Sequence, residues 1–234
     1  MKHSKRYNVA YTMFDRQKRF DLNEAIKLLK SLPTSKFDET VELHFNLGVD
    51  PRKADQQIRN SLVLPYGTGK EVRVLVFAEG DKAEEAKKTG ADYVGVDDLI
   101  EKISNGWFDF DIVIATPNLM GRIGKLGRVL GPRGLMPNPK VGTVTMDIGK
   151  AVQEAKSGKI TYRVDKFGNL HIPVGKVSFD EDKLRDNIKA VLTAVLRDRP
   201  STLKGVYIKS ITLCTTMSPG IKIQVASATS EARS

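Results

Sequence analysis

A run of glycine, proline and basic residues in the middle of the sequence has a composition that suits contact with an anion. Residues 120–142, MGRIGKLGRVLGPRGLMPNPKVG, contain six glycines, three prolines, five Lys or Arg residues and no Asp or Glu. Glycines expose backbone N–H groups and the basic side chains between them supply positive charge, so such a segment can meet phosphate groups. A solvated, flexible loop would have a similar composition, and both interpretations stay open at this point.

The phosphate-binding motifs of nucleotide-dependent enzymes are incomplete in this sequence. The segment PYGTGKE resembles the end of a phosphate-binding loop at Gly69 and Lys70, but Leu64 and Glu71 stand where that motif needs Gly and Ser or Thr. No G-x-G-x-x-G motif follows the apolar run at 72–78, so a dinucleotide site is not indicated either. A nucleotide-dependent enzyme therefore receives little support.

Histidine and cysteine also fail to indicate catalysis or metal binding. His3, His44 and His171 lack the spacing of metal ligands, and Cys214, the single cysteine, has no evident base partner. A lone cysteine cannot form an internal disulfide, which agrees with a reducing compartment. The N-terminus lacks the apolar run of a signal peptide, and no stretch reaches the roughly 20 apolar residues of a membrane span. We therefore expect a cytoplasmic, non-enzymatic protein that needs no cofactor or metal and has no membrane partner.

Positive charge is concentrated in the two ends of the chain, which has 234 residues and a net charge of +10. Residues 68–158 carry 13 basic and 13 acidic side chains, residues 1–67 carry 12 and 8, and residues 159–234 carry 13 and 7. Within the neutral middle, the basic residues of 120–142 offset an acidic excess in 68–119. A basic protein of this kind most often binds nucleic acid, although net charge alone indicates only non-specific attraction.

The apolar pattern divides the chain at the same places. In the middle, short β-branched runs at 72–78, 91–96 and 111–115 alternate with helical segments that begin with acidic residues and end at glycine. This alternation predicts a Rossmann-like α/β unit with a small parallel sheet.

The flanking segments show strands with one exposed face. The stretch TVELHFNL at 40–47 alternates polar and apolar residues, and residues 159–174 are typical of a hairpin that turns at 165–169. Helices are predicted after Asp21 and after Ser178, each with a Glu three residues further on as a capping box. These features predict an α+β domain built from both chain ends.

Four segments closely resemble the ribosomal protein L1 (uL1) family, the proteins of the mobile stalk of the bacterial large ribosomal subunit. They are SKFDETVELH, GKLGRVLGPRGLMPNPKVGTVT, RVDKFGNLHIPVGK and TTMSPG, and the resemblance extends over nearly the whole chain. It implies two domains: an outer α+β domain of residues 1–67 and 159–234 that grips the stalk rRNA, and an inserted Rossmann-like α/β domain of residues 68–158. The hinge between them would fall near 65–70 and 158–160.

The same resemblance implies a function and partners. The protein would be a structural constituent of the large subunit that binds large-subunit rRNA, assists release of deacylated tRNA from the exit site, and represses translation of its own operon messenger RNA. When free of RNA it is expected to be a monomer. A non-specific basic RNA-binding protein or chaperone is the alternative, because net charge would also suit that role.

The rRNA-binding positions of the family can be transferred to matching residues of this chain. They are Lys36, Phe37, Thr40, Asp165, Lys166, Gly168, His171, Ser210, Thr216, Met217 and Ser218. Lysine offers a charge to phosphate, and hydroxyl groups can bind ribose 2′-OH groups, so recognition is expected to be of folded RNA shape.

Four of these positions have a second interpretation. Phe37 lies against a ribose or base, or it caps the core at the start of its strand. Asp165 and Gly168 approach RNA, or they serve only the hairpin turn. His171 contacts RNA, or it is only an exposed strand residue. The family usually has Gly where this chain has Ser218, so a Cβ and a hydroxyl group must fit at that position.

The basic segment at 120–142 is expected to face RNA, and tRNA in particular, during stalk movement. The residues concerned are Arg122, Lys125, Arg128, Arg133 and Lys140. In the alternative interpretation, the glycines and prolines fix a backbone path and the charges only balance the acidic excess of the same domain.

Overall fold

The structure, a computed structural model, describes residues 4–33 and 35–232, so that His3 lies outside it. The helices are α1 (Lys5–Thr12), α2 (Leu22–Ser31), α3 (Asp81–Lys88), α4 (Asp97–Ser104), α5 (Met120–Ile123), α6 (Gly127–Leu130), α7 (Ile148–Lys156), α8 (Glu181–Arg197) and α9 (Val225–Glu231). The strands are β1 (Thr40–Leu47), β2 (Arg59–Val63), β3 (Val74–Phe77), β4 (Tyr93–Gly95), β5 (Ile112–Ala115), β6 (Lys159–Arg163), β7 (Asn169–Lys176), β8 (Ile208–Thr215) and β9 (Ile221–Ile223).

The chain divides into two compact units. The outer unit ends at Gly69 and resumes at Ile160, and the inserted unit runs from Lys70 to Lys159. These boundaries lie one or two residues from the domain boundaries expected from the sequence.

The outer unit is built on a four-stranded antiparallel sheet in the order β7-β1-β8-β9. Strand β1 confirms the predicted alternation, since Val41, Leu43, Phe45 and Leu47 are at most 1% exposed and the residues between them are partly exposed. Burial of each of these side chains stabilises the fold by about 1.5–3 kcal/mol. The buried face packs against α2, α8 and α9. This packing fixes the register of β1 and directs its polar residues to the opposite face.

Helix α8 begins later than its capping motif predicts. Its predicted apolar stripe is buried, but its N-cap residue is Asp180. The Ser178 hydroxyl instead donates to Asp38 Oδ2 at 2.7 Å, and the Ser178 N–H donates to Asp38 Oδ1 at 3.1 Å. The predicted capping box at Ser178 is therefore wrong, because this side chain ties the approach to α8 to the segment before β1.

The predicted hairpin at 159–174 is wrong in its pairing. A tight turn does form, since the Asp165 N–H donates to the Asn169 carbonyl at 2.8 Å and Gly168 has a φ of 84°. However, β6 pairs with β2 in a separate two-stranded sheet, whereas β7 pairs with β1. Alternation identified the buried face of each strand but not its partner.

Asn187 fixes the chain where it leaves the outer unit. Its side chain is fully buried in α8. The amide Nδ2 donates to the carbonyl groups of Gly67, at 2.9 Å, and Val174, at 2.8 Å, while Oδ1 accepts from the Tyr66 N–H at 3.1 Å. Two of these three hydrogen bonds hold the segment before the unit boundary, and the third ties α8 to β7.

The inserted unit confirms the predicted α/β arrangement. Its three strands are parallel, in the order β4-β3-β5. On the central strand, Leu75 and Phe77 pack with α4 and with residues 119–130, whereas Val74 and Val76 pack on the other side with α3 and α7. Both faces of the sheet are therefore covered, as expected for a Rossmann-like unit. No helix within the described ranges is long and apolar enough to cross a membrane.

Candidate nucleic-acid interface

Candidate RNA-binding residues from three separate parts of the chain lie on the solvent face of the four-stranded sheet. Thr40, His171 and Ser210 occupy the exposed positions of β1, β7 and β8. Strand register brings them together, because His171 lies opposite His44 and Ser210 lies opposite Asn46. We call this surface the sheet face. It follows β1, which at ~3.4 Å per residue extends for about 24 Å.

The first end of the sheet face is formed by the turn before β7. Asp165 Oδ1 accepts hydrogen bonds from the N–H groups of Phe167 and Asn169, both at 2.8 Å. The Asn169 side chain in turn accepts from Asn46 Nδ2 at 2.7 Å. Burial opposes ionisation of Asp165, but the hydrogen bonds from Asn169 and Phe167 outweigh it and lower the pKa of Asp165. This carboxylate therefore organises the turn, and Oδ2 lies towards the sheet face at 3.8 Å from His171 Nε2.

Gly168 serves the packing of this turn. It is buried, and a Cβ on it would lie 3.1 Å from the carbonyl oxygen of Leu47, at a positive φ that favours glycine. The close approach that glycine permits here is thus to the chain's own backbone. Lys166 is exposed, and its ammonium group lies 5.1 Å from the centre of the exposed Phe167 ring instead of pairing with Asp165.

The second end of the sheet face combines the loop before β1 with the turn after β8. Phe37 is 53% exposed, so it lies outside the core and does not cap it. Lys36 beside it is also exposed. Across from this loop, the Thr216 hydroxyl accepts from the Thr40 N–H at 3.1 Å, and the Met217 side chain is 49% exposed. Two separate segments thus present a cation, an aromatic ring, hydroxyl groups and a thioether next to each other.

Glu39 connects these two segments from below. It is 2% exposed. Its Oε2 accepts from the Thr215 hydroxyl at 2.6 Å and from the Met217 N–H at 2.9 Å, and its Oε1 accepts from the Ser35 N–H at 2.6 Å and from Arg6 Nη1 at 3.3 Å. Burial opposes ionisation, but the hydrogen bonds outweigh it and lower the pKa of Glu39. The carboxylate therefore holds the loop before β1 against the turn after β8.

Ser218 fits its position without presenting its hydroxyl to solvent. Its Oγ accepts from the Thr215 N–H at 2.9 Å and donates to the Pro219 carbonyl at 3.2 Å. The Ser218 hydroxyl is therefore bonded within its own turn.

The middle of the sheet face is occupied by two histidines and the cysteine. His44 Nδ1 lies 2.8 Å from His171 Nδ1, and His44 Nε2 lies 3.1 Å from Cys214 Sγ and 3.5 Å from Glu42 Oε2. Burial and the neighbouring His171 lower the pKa of His44, and Glu42 partly opposes them. Burial raises the pKa of the Cys214 thiol to about 11. The thiol is therefore protonated at neutral pH and unsuited to act as a nucleophile.

Six further polar side chains belong to this region, although the sequence did not predict them as RNA contacts. They are Glu39, Glu42, His44, Asn46, Asn169 and Thr212. For three of them, Glu42, His44 and Asn46, the signal was present, because they alternate with the apolar residues of β1 in the same phase as Thr40.

The features considered above for catalysis are used structurally. Lys70, the lysine of the incomplete phosphate-binding motif, donates to Asp111 Oδ1 at 2.5 Å. Within the part of the chain that the structure describes, no group of three or more His, Cys, Asp or Glu side chains is arranged to hold a metal ion.

The basic run at 120–142 folds as short helical turns of the inserted unit. Ile123, Leu126 and Leu130 are at most 2% exposed and pack against the sheet. The cations differ in their surroundings. Arg122 forms ion pairs with Glu79, at 2.6 Å, and with Asp97. The Arg133 guanidinium lies 3.9 Å from the centre of the Phe108 ring. Three further residues, Lys125, Arg128 and Lys140, are exposed and pair with no acidic side chain of residues 4–33 or 35–232.

Three glycines of this run have no packing role. Gly121, Gly124 and Gly127 recur at every third residue of the helical turns, and a Cβ added to any of them would meet no atom within 4 Å. Glycine inside a helix is destabilising by roughly 0.5–1 kcal/mol relative to alanine. The basic residues follow directly after these glycines, so bare backbone and positive charge lie side by side.

Comparisons with known proteins show the family of the chain. Residues 28–219 match the Ribosomal protein L1p/L10e family. Two curated relatives, each called large ribosomal subunit protein uL1, come from Thermosipho melanesiensis and Thermosipho africanus. Each is 60% identical to this chain over 229 residues, which cover 97% of this chain and 99% of the relative. The chain therefore belongs to the ribosomal protein L1p/L10e family, and it is a structural ribosomal protein, not an enzyme.

Proposed function

We propose that the sheet face binds the rRNA of the mobile stalk of the large ribosomal subunit. The protein is a structural constituent of that subunit in the cytoplasmic ribosome. The observation that carries the proposal is the convergence of Thr40, His171, Ser210 and Thr216 from distant parts of the sequence onto one exposed surface.

The chemistry of the sheet face suits folded RNA. Along its two central strands it presents hydroxyl, amide and imidazole groups, which can bind ribose 2′-OH groups and base edges. Lysines stand around it, with Lys36 and Lys166 at its two ends, and with Lys222 on the edge strand opposite Thr212. Apart from the carboxylates of Glu42 and Asp165, the surface consists of neutral donors and acceptors with cations at its rim. Such a surface favours recognition of shape over the non-specific attraction expected of a basic RNA chaperone.

The test compares affinity for a stalk rRNA fragment with affinity for a scrambled RNA of equal length, at about physiological salt. We expect a preference of roughly a hundredfold or more, equivalent to about 2.8 kcal/mol. Near-equal binding of the two RNAs would support the chaperone alternative instead. The free protein is expected to be monomeric, which sedimentation without RNA would check.

We also propose that the basic run at 120–142 contacts tRNA as the protein assists tRNA release from the exit site. The exposed, unpaired cations and the bare glycine backbone next to them support this role. The test replaces Lys125, Arg128, Arg133 and Lys140 by Gln and leaves Arg122, which is already paired with Glu79 and Asp97. We expect normal stalk rRNA binding and slower tRNA release from ribosomes that carry the variant. Loss of rRNA binding in a folded variant would contradict this division.

Repression of the protein's own messenger RNA is the third part of the proposal, and it uses the same sheet face. A messenger that carries a mimic of the stalk rRNA site would compete with it for the protein. Stalk rRNA should therefore displace the messenger fragment, and a substitution on the sheet face should weaken both complexes in parallel. Binding of both RNAs at the same time would contradict a shared site.

A further inference from the structure

The N-terminal segment, residues 4–20, is an exposed surface that the proposed RNA site leaves unused. In helix α1 only Ala10 is buried. Val9 and Tyr11 of the helix, and Met13 directly after it, are 43–55% exposed. Such a short helix is marginal in water without tertiary support. Phe14 and Phe20 pack against the core and anchor the segment, whereas Val9, Tyr11 and Met13 contribute little to the core and are accessible for contacts at the surface.

Aromatic rings and cations alternate on this segment. The Arg16 guanidinium lies 4.5 Å from the centre of the Tyr11 ring and donates to the Tyr11 hydroxyl at 2.7 Å, and the Lys18 ammonium lies 4.8 Å from the centre of the Phe20 ring. Lys5, Arg16, Lys18 and Arg19 are all exposed, and none pairs with a described acidic side chain. Four available cations within one short segment make an anionic partner the complementary one.

The segment is attached directly to the second end of the sheet face. Arg6 of α1 donates to Glu39 Oε1 at 3.3 Å and also to the Ser35 hydroxyl. Ser35 precedes Lys36 and Phe37, which belong to the candidate interface. An RNA that lies on the sheet face would therefore meet the N-terminal segment as it leaves this end.

We propose that residues 4–20 form a second RNA-binding surface, which takes an unpaired strand of the same RNA beyond the folded part held by the sheet face. Bases stack on the Tyr11 ring and the adjoining Arg16 guanidinium, and phosphates contact the exposed Lys and Arg side chains. Stacking on aromatic rings and a cationic path for the backbone are the features by which proteins hold single strands. This inference rests on the proposed function, because it assigns part of the same RNA to a new surface.

The first test removes charge. One variant carries Lys5→Gln, Arg16→Gln, Lys18→Gln and Arg19→Gln. A control loses the same charge at four exposed, unpaired lysines of the inserted unit through Lys87→Gln, Lys88→Gln, Lys102→Gln and Lys150→Gln. Affinity for a stalk rRNA fragment with its flanking unpaired nucleotides is measured over a range of salt. For the N-terminal variant we expect affinity to fall about tenfold or more and the slope of log affinity against log salt to become shallower by about three. The control should match the original protein.

The second test removes the ring and keeps the charge. Tyr11→Ala should weaken binding of the flanked fragment about five- to a hundredfold, the range for one lost base stack, while Tyr11→Phe should bind normally. Trimming the flanking nucleotides should abolish the difference. Thermal unfolding checks that the variants remain folded.

The outcomes separate the two proposals. Suppose that the original protein prefers stalk rRNA, but the N-terminal and control variants lose equal affinity for the flanked fragment, or Tyr11→Ala has no effect on it. The proposal of a second RNA-binding surface is then wrong, and the proposed role of the sheet face is unaffected. If the original protein has no preference for stalk rRNA, the proposed function itself fails.

Discussion

Glu39 accepts a hydrogen bond from the backbone N–H of Met217 at 2.9 Å, across 178 positions of the sequence. With the same oxygen it accepts from the Thr215 hydroxyl, and with the other it holds the loop that precedes β1. The geometry of the second end of the sheet face therefore depends on a carboxylate that is itself almost inaccessible to RNA.

Glu39→Gln should weaken both the fold and RNA binding. The amide places an N–H₂ group where an oxygen now faces hydrogen-bond donors, so we expect a loss of about 2–3 kcal/mol in the free energy of unfolding by urea. Stalk rRNA affinity should fall under conditions where the variant is still folded. Glu101→Gln, an exposed carboxylate inside α4, is the control and should change neither quantity. Normal RNA affinity of a folded Glu39→Gln protein would show that the loop and the turn keep their positions without the carboxylate.

Because the pKa of Glu39 is lowered in the fold, the free energy of unfolding should decrease in acid. Because its pKa is lower in the folded than in the unfolded chain, the stabilisation is complete above the unfolded value of about 4.5 and is lost as the pH falls through the folded value. We expect Glu39→Gln to lessen the stability lost between pH 5 and pH 3, compared in parallel urea titrations. An equal loss in both proteins would assign acid unfolding to other carboxylates.

Substitution should weaken RNA binding at Thr216 but not at Ser218. The Thr216 hydroxyl accepts from the Thr40 N–H and is exposed, so Thr216→Val removes the proposed contact to RNA and leaves that N–H without its side-chain acceptor. We expect stalk rRNA affinity to fall by about 1–3 kcal/mol. The Ser218 hydroxyl is bonded within its turn, so Ser218→Gly should change affinity by less than about 0.5 kcal/mol. A larger gain on Ser218→Gly would mean that its Cβ obstructs RNA.

The layers of the fold were predictable from sequence, whereas the connections that shape the interface were not. The alternation in β1 and the apolar runs of the inserted unit could be interpreted because the spacing of apolar residues follows directly from which faces are buried. The pairing of β6 with β2, and the bond from Ser178 to Asp38, depend on partners distant in sequence. Glu39 carried no signal, since an acidic residue before a strand is usually exposed. Resemblance supplied the candidate RNA contacts, and only the register of β1, β7 and β8 places several of them on one surface.

His44 should make the stability of the outer unit fall in mild acid. It is partly buried, and its Nδ1 lies 2.8 Å from His171 Nδ1, where only one of the two facing atoms can carry a hydrogen. The pKa of His44 is lower in the folded chain than the unfolded value of about 6.5, so stability is greatest above that value and decreases as the pH falls below it. His44→Gln should reduce the loss of urea resistance between pH 7.5 and pH 5.5. An unchanged pH dependence in this variant would exclude His44 as its source.

Gly124→Ala tests whether the bare glycine backbone of the basic run at 120–142 contacts RNA. Gly124 has helical backbone angles, with a φ of −53°, and an added Cβ meets no atom within 4 Å. Alanine should therefore stabilise the inserted unit by about 0.5–1 kcal/mol in urea unfolding. If RNA approaches the bare backbone here, the same methyl group should slow tRNA release on ribosomes that carry the variant. Gln153→Ala, at an exposed position of helix α7, is the control and should leave release unchanged. A gain in stability with normal tRNA release would mean that this glycine serves no RNA contact, and the tRNA-facing role of the segment would then rest on its cations alone.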